Sequence, residues 1–175
     1  MSVFRLARPA LPFRHPATLV GTWFGAGLLP VAPGTWGSLA ALPFAWLMLA
    51  FGSPRLLFVA ALLAFLLGWW ATAHYMRHTE AKDPREIVVD EVSAQWLTLV
   101  FADPKVWWHW LLGFALFRLL DIAKPWPANH IDRQRSALAV MADDTVAAVY
   151  ALVTFAVVVP LFPMVAAVWK ALHGS

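Results

Sequence analysis

The sequence predicts an all-α integral membrane bundle with about four to five membrane helices, one of them short. Three observations lead to this prediction. The 175 residues are 61% hydrophobic and only 13% charged, whereas soluble domains are about 45–50% apolar and about 25% charged. The mean hydropathy is +0.67. Long stretches carry no charged residue, and a helix needs about 20 apolar residues to cross a bilayer.

The composition also excludes several other classes of protein. A soluble domain of about 150 residues leaves roughly a third of its unfolded surface exposed, and this chain is too apolar for that. Disorder and collagen do not fit, and the absence of cysteine excludes a disulfide scaffold. The pI is near 9.7, but no basic stripe with interleaved aromatics indicates nucleic-acid binding. The basic residues suit anionic lipid instead.

The charge-free runs place the helices in chain order. The first run is interrupted by prolines and glycines between 30 and 37, so we expect a loop there. A helix over 35–51, with a kink at Pro43, is expected to follow. A second spanning helix is expected over 56–76, where no charged side chain interrupts the apolar run.

Three more helices complete the bundle. The acids Asp90 and Glu91 open a helix over 90–102, whose apolar part is only about 16 Å long at about 1.5 Å per residue. Too short to span, it could form a hairpin with a helix over 106–122 and enter the membrane partway. The last span is expected over 144–163. Residues 1–175 therefore form one membrane domain, of which 1–20 are expected to be a cytoplasmic tail.

The positive-inside rule orients this bundle. When the expected helices alternate in direction, one face carries all thirteen basic residues except Arg55, Lys105 and Lys170. All ten acids except Asp103 fall on the same face, although acids contribute little to the orientation rule. We expect this face to be cytoplasmic and the chain to be a multi-pass membrane protein.

The acids on this face are the main candidates for a functional site. Asp90 and Glu91 could simply cap a helix and favour its dipole. However, Gln95 continues their polar stripe to membrane depth, where polar groups are usually functional. Asp143 and Asp144 open the last span, and for this pair alone capping and function are equally good explanations.

Convergence of these acids favours a metal site. Asp121 ends a third helix, so five carboxylates would meet at one interface and repel one another unless cations neutralise them. Oxygen ligands without cysteine suit a hard cation such as Mg²⁺. The sequence therefore predicts a site for a hard cation such as Mg²⁺. Its candidate ligands are Asp90, Glu91, Asp121, Asp143 and Asp144.

Phosphate would be bound by neighbouring cations and hydroxyls. Arg118 could pair with Asp121 on the helix surface, and Lys124 could be a counter-ion. Each could equally contact a phosphate. The Gly/Pro turn before the first span offers backbone N–H groups and the hydroxyls of Thr35 and Ser38 for an anion. A kinked membrane entry is the simpler explanation for that turn alone.

Three blocks together resemble the phosphatidylglycerophosphatase A family. They are 27–38 (GLLPVAPGTWGS), 83–91 (DPREIVVDE) followed by Gln95, and 117–127 (FRLLDIAKPWP) followed by Asp132 and the pair 143–144. The match runs from about 21 to about 148 in the family's order and spacing. The chain departs from the family at Ala94 and at 137–139 (ALA), where the family often has glycine.

The resemblance implies a membrane-bound, Mg²⁺-dependent phosphatase with an all-helical fold. Its reaction would convert phosphatidylglycerophosphate to phosphatidylglycerol and phosphate, in the synthesis of phosphatidylglycerol and cardiolipin. The five acids would hold one or two Mg²⁺ ions, and Arg118 and Lys124 would offset charge on the phosphoryl oxygens. Glu91 is the candidate base.

Two other functions stay open from the sequence. A divalent-cation transporter also uses membrane acids, but it predicts carboxylates near the bilayer midplane, whereas these lie at span ends. The chain could also be another membrane enzyme acting on phospholipid head groups. The acid-rich, glycine-interspersed signature of the CDP-alcohol phosphotransferases is not present.

Overall fold

The computed structural model describes residues 7–81 and 83–173. These residues form a helical bundle with seven α-helices and no strand among them. In chain order the helices are α1 Pro16–Gly21, α2 Pro33–Phe51, α3 Pro54–Tyr75, α4 Val89–Thr98, α5 Trp107–Ala123, α6 Ala128–Ile131 and α7 Ala137–His173. The prediction of an all-α membrane fold is confirmed.

Three of the described helices are long and apolar enough to cross a membrane. They are α2, α3 with the turn that follows it to His78, and α7 as far as Phe162. Helix α5 has 17 residues, about 26 Å at about 1.5 Å per residue, which is slightly short of the usual span. The predicted count of four to five membrane helices is therefore approximate.

Helix α4 is the centre of the bundle. It has ten residues, of which eight are buried, and it contacts α2, α3, α5 and α7. The indole Nε1 of Trp96 donates to the carbonyl of Ala41 in α2 at 2.9 Å. The expected short helix is thus enclosed by longer ones, which satisfies the rule that a segment entering the membrane partway must be covered by protein.

The outer faces of the long helices are apolar. Phe58 and Leu63 of α3 and Val153 of α7 are each about half exposed. A soluble protein rarely leaves such large apolar patches in water. The exposure therefore fits helices that face lipid.

The N-terminal segment packs against the bundle over its described part. The tail expected over 1–20 falls partly on residues 1–6, which lie outside the described residues. From residue 16 the chain forms α1, which contacts α3 and buries Ala17 and Thr18. The hydroxyl of Tyr75 accepts a hydrogen bond from the Ala10 amide at 2.7 Å.

Helix α7 begins well before the expected position. It starts at Ala137, so Asp143 and Asp144 lie nearly two turns inside it and do not open it. Ser136 provides the cap instead, because its Oγ accepts from the Ala139 amide at 3.1 Å. The residues before the acid pair are mainly alanine, leucine and methionine, which favour helix. The capping explanation for this pair is wrong.

Helix α4 also differs at both ends from its expected range. Its N-cap is Val88, so Asp90 and Glu91 lie in the first turn, and capping by Asp90 is excluded. Helix α4 ends at Thr98, before the expected end at 102. The amides of Leu99 and Ala102 continue in turns, the latter donating to the Leu99 carbonyl at 2.9 Å.

Candidate active site

Four helix ends meet at one end of the bundle around a cavity of about 240 Å³. The starts of α2 and α4, the last turn of α5 and the first turns of α7 contribute to its wall, together with the loops between them. The charged residues of the wall are Asp83, Arg85, Asp90, Glu91, Arg118, Asp121, Lys124, Asp132, Asp143 and Asp144. All five predicted acids and both predicted cations therefore line one cavity.

The segment that carries Asp90 and Glu91 lies directly on the glycine-rich block. The amide of Val88 donates to the Gly21 carbonyl at 2.8 Å. A Cβ atom on Gly27 would overlap the backbone oxygen of Glu86, and one on Gly34 would overlap the carboxylate of Glu91. Glycine at these two positions allows the close approach. The block 27–38 therefore packs directly against the block 83–91.

Three of the five acids form a tight group. Asp90, Glu91 and Asp144 each present a carboxylate oxygen within 4.8 Å of the others, a separation that would allow one metal ion to be held. Two of the three come from the first turn of α4 and the third from α7. The short helix and the long one thus provide ligands from two directions.

Burial destabilises the charged forms of these three carboxylates unless a cation neutralises them. Asp90 and Asp144 are 6% and 5% exposed, and the buried Glu91 Oε2 has no hydrogen-bond partner in the described part of the chain. Burial raises the pKa of Asp90, and the carboxylates of Glu91 and Asp144 raise it further. Burial also raises the pKa of Glu91.

The other two acids are paired with basic side chains. Arg118 Nη1 lies 2.7 Å from Asp121 Oδ2, an ion pair one turn apart on α5. The same nitrogen lies 3.9 Å from Glu91 Oε1. The predicted pair of Arg118 and Asp121 is confirmed, and it brings the guanidinium to the edge of the tight acid group.

Lys124 joins α5 to α7. Its Nζ donates to Asp143 Oδ2 at 2.6 Å and also to Asp132 Oδ1. Burial lowers the pKa of Lys124, but the hydrogen bonds to both carboxylates outweigh that effect, so the pKa lies above its usual value. Lys124 ends α5 with φ 42°, in the left-handed region where glycine is usual.

The structure does not bring the two predicted hydroxyls into the cavity. Thr35 and Ser38 do not line it, and the buried Ser38 Oγ donates to the Gly34 carbonyl at 2.9 Å. A serine that bonds back to the preceding turn of its own helix has no remaining proton for a phosphate. The turn instead contributes Ala32, Pro33 and Gly34 to the wall.

A family model described as phosphatidylglycerophosphatase A matches residues 19–159. The chain belongs to the phosphatidylglycerophosphatase A family. The matched range contains every residue of the cavity wall, so the acids and the cations lie within the part that the family shares. The chain is accordingly a phosphatase of membrane phospholipid metabolism.

Curated relatives of this phosphatidylglycerophosphatase A family member cover most of its length. The phosphatidylglycerophosphatase A of Escherichia coli strain K12 is 37% identical over 146 residues, which are 82% of this chain and 84% of the relative. That of Haemophilus influenzae is 36% identical over 82% of this chain and 89% of its own length. A Bacteroides thetaiotaomicron protein named “Putative phosphatidylinositol-3-phosphatase” is 38% identical over 79% and 91%. No solved structure matches the chain.

Reasoning from the sequence of this phosphatidylglycerophosphatase A family member assigned no role to several residues of the wall. Asp132 follows the third block of the resemblance and has no predicted role, yet it binds Lys124. Asp83, Arg85 and Gln134 also line the cavity. The signal for Asp132 is its position in the sequence, a few residues after the proline-rich turn that follows Lys124. Nothing in the sequence alone indicated Gln134.

Proposed function

We propose that this chain hydrolyses phosphatidylglycerophosphate to phosphatidylglycerol and phosphate with Mg²⁺ as cofactor. Family membership supports the substrate and the reaction. The observation that carries the proposal is the convergence of Asp90, Glu91 and Asp144 beside the cations Arg118 and Lys124. Such a site can neutralise and position a phosphomonoester, which is most of what phosphoryl-transfer catalysis requires.

The residues present fit a hard divalent cation. The tight group offers carboxylate oxygens only, which Mg²⁺ prefers, and a bound cation would satisfy the buried, unpartnered Oε2 of Glu91. Asp90, Glu91 and Asp144 would hold the ion; that Asp121 and Asp143 join them stays a prediction. When bound, Mg²⁺ would supply the positive charge that offsets the phosphomonoester and the charge developing during its cleavage.

The side chains have distinct roles in this proposal. Arg118, positioned by Asp121, orients the phosphoryl oxygens from the α5 side. Lys124, fixed between Asp132 and Asp143, adds a second positive charge to the cavity wall. Glu91 accepts the proton of the attacking water through the carboxylate oxygen that does not hold the ion.

We further propose that the site faces the cytoplasm at a bacterial inner membrane. The acids lie where α2, α4 and α7 begin and α5 ends, which is the face that the positive-inside rule makes cytoplasmic. A site at the end of the bundle suits a lipid whose head group lies at the interface. It also disfavours a cation transporter, which needs its acids along a path through the membrane. The reaction there would serve the synthesis of phosphatidylglycerol and cardiolipin.

Phosphate release from purified protein tests this function. We expect release from phosphatidylglycerophosphate with Mg²⁺ and none after chelation. Asp90→Asn and Asp144→Asn should abolish it while the proteins remain inserted, and Asp103→Asn, an exposed acid outside the cavity, should remain active. Normal activity of both cavity variants would contradict the proposal. Phosphatidylinositol 3-phosphate is the alternative substrate to test, because the Bacteroides relative is named as a putative phosphatidylinositol-3-phosphatase.

A further inference from the structure

A second cavity adjoins the acid-lined one. It measures about 410 Å³ and lies between the glycine-rich loop and the segment that leads into α4. Pro33, Asp83 and Arg85 line both cavities. The two cavities therefore adjoin at these three residues.

Arg85 is the cation of the shared wall. Arg118 and Lys124 already pair with carboxylates, whereas Arg85 is exposed and forms no ion pair with any of the residues described. An arginine guanidinium binds phosphate oxygens through two parallel hydrogen bonds. Arg85 is thus available to an anionic group that lies across the boundary between the cavities.

The second cavity also offers a fixed acceptor. Glu86 lines it, and its carboxylate accepts from the hydroxyl of Tyr75 at 2.8 Å. Its backbone lies against Gly27, where no side chain would fit. A carboxylate has about four acceptor positions, so Glu86 can receive a hydroxyl of a ligand while Tyr75 holds it in place.

We propose that the second cavity binds the part of the head group that is not hydrolysed. This inference rests on the proposed function. The substrate carries a phosphomonoester, which is removed, and a phosphodiester, which stays with the lipid; a polyol joins them. With the monoester at the acids, Arg85 pairs with the phosphodiester and Glu86 accepts from a polyol hydroxyl. Arg85 is therefore a specificity-determining residue, which favours such lipids over phosphatidic acid, in which no phosphodiester is present.

Steady-state kinetics of Arg85→Ala on phosphatidylglycerophosphate test this role. We expect KM to rise about 10- to 100-fold, as for the loss of a hydrogen bond to a charged group, with kcat nearly unchanged. The KM of Arg85→Lys should lie between that of Arg85→Ala and that of the wild type. Competitive inhibition by inorganic phosphate, which occupies only the acid-lined cavity, should not change. Arg77→Ala is the matched control, since Arg77 is exposed at the same end and lines neither cavity.

Three results would overturn the inference. The first is an unchanged KM in Arg85→Ala. The second is an equal rise in Arg77→Ala, which would indicate general attraction of anionic lipid. The third is an equal weakening of phosphate inhibition, which would place Arg85 on the phosphate that is removed. If the wild type does not hydrolyse phosphatidylglycerophosphate, the proposed function fails and this inference fails with it; an active wild type with an unaffected Arg85→Ala overturns this inference alone.

Discussion

Gly34 and Glu91 lie so close together that any side chain on Gly34 would overlap the Glu91 carboxylate. A Cβ atom there would also lie 3.3 Å from Arg118 Nη1. The first motif therefore contributes to the site through the absence of a side chain, which leaves room for a carboxylate and a guanidinium.

Gly34→Ala should reduce activity without unfolding the protein. The overlapping atom is the end of a flexible side chain, so Glu91 can move aside. Its carboxylate then moves away from those of Asp90 and Asp144. We expect phosphate release to fall at least about tenfold, since misplacement of about 1 Å can cost far more. Gly27→Ala is the contrasting variant, because it meets backbone at Glu86 and should lower the melting temperature. Full activity of Gly34→Ala would contradict this account.

Asp144→Asn should stabilise the metal-free protein while it abolishes activity. The change removes one of three buried carboxylates that lie within 4.8 Å of one another and replaces it with a neutral side chain of similar shape. We expect the melting temperature in chelator to rise by about 2–4 °C for each kcal/mol gained. Added Mg²⁺ should raise the melting temperature of the wild type and much less that of the variant. Equal Mg²⁺ shifts in both would exclude a ligand role for Asp144.

Lys124→Met should destabilise the protein by leaving Asp143 buried and unpaired. The side chain of Asp143 is 6% exposed and that of Lys124 30% exposed, so we expect a loss of about 1–3 kcal/mol, below the value for a fully buried pair. Unfolding in detergent measures it. Adding Asp143→Asn should recover most of the stability but not the activity. If the double variant is no more stable than Lys124→Met, the loss does not come from the unpaired Asp143.

Ser136→Ala should test where α7 begins. If Ser136 caps the helix, its loss should cost about 1 kcal/mol of stability and leave most of the activity, since Ser136 does not line the cavity. Thermal unfolding compares this variant with Ser53→Ala, which removes the cap of α3. An unchanged melting temperature would favour a helix that begins at the acid pair.

Much of the fold could be predicted from the sequence because its signals are local. The apolar run that becomes α3 is uninterrupted and predicts that helix. The loop expected over 30–37 is wrong from Pro33 onward, because α2 begins at Pro33, a residue suited to the first helical position. The start of α7 was predicted too late. Charge was used as the boundary of the span, although the alanine-rich residues before Asp143 extend the helix beyond the apolar run.

The site was predictable in its acids and less so in its other walls. Charge in an apolar chain marks Asp90, Glu91 and Asp144 at once. By contrast, the exclusion of Ser38 depends on a hydrogen bond within its own helix, and the position of Arg85 between two cavities depends on how a loop folds. The first depends on a local hydrogen bond within α2 and the second on contacts between distant segments, and neither leaves a periodic pattern in the sequence.

The apolar packing around the central helix α4 also bears on the movement of protons across a membrane. Below the acids, Leu57, Val92, Leu99 and Phe155 are fully buried and pack in one apolar cluster. An apolar layer therefore separates the carboxylates from the other end of the bundle. A bundle closed in this way is expected to hold its acids on one side of a membrane without opening a path for protons to the other side.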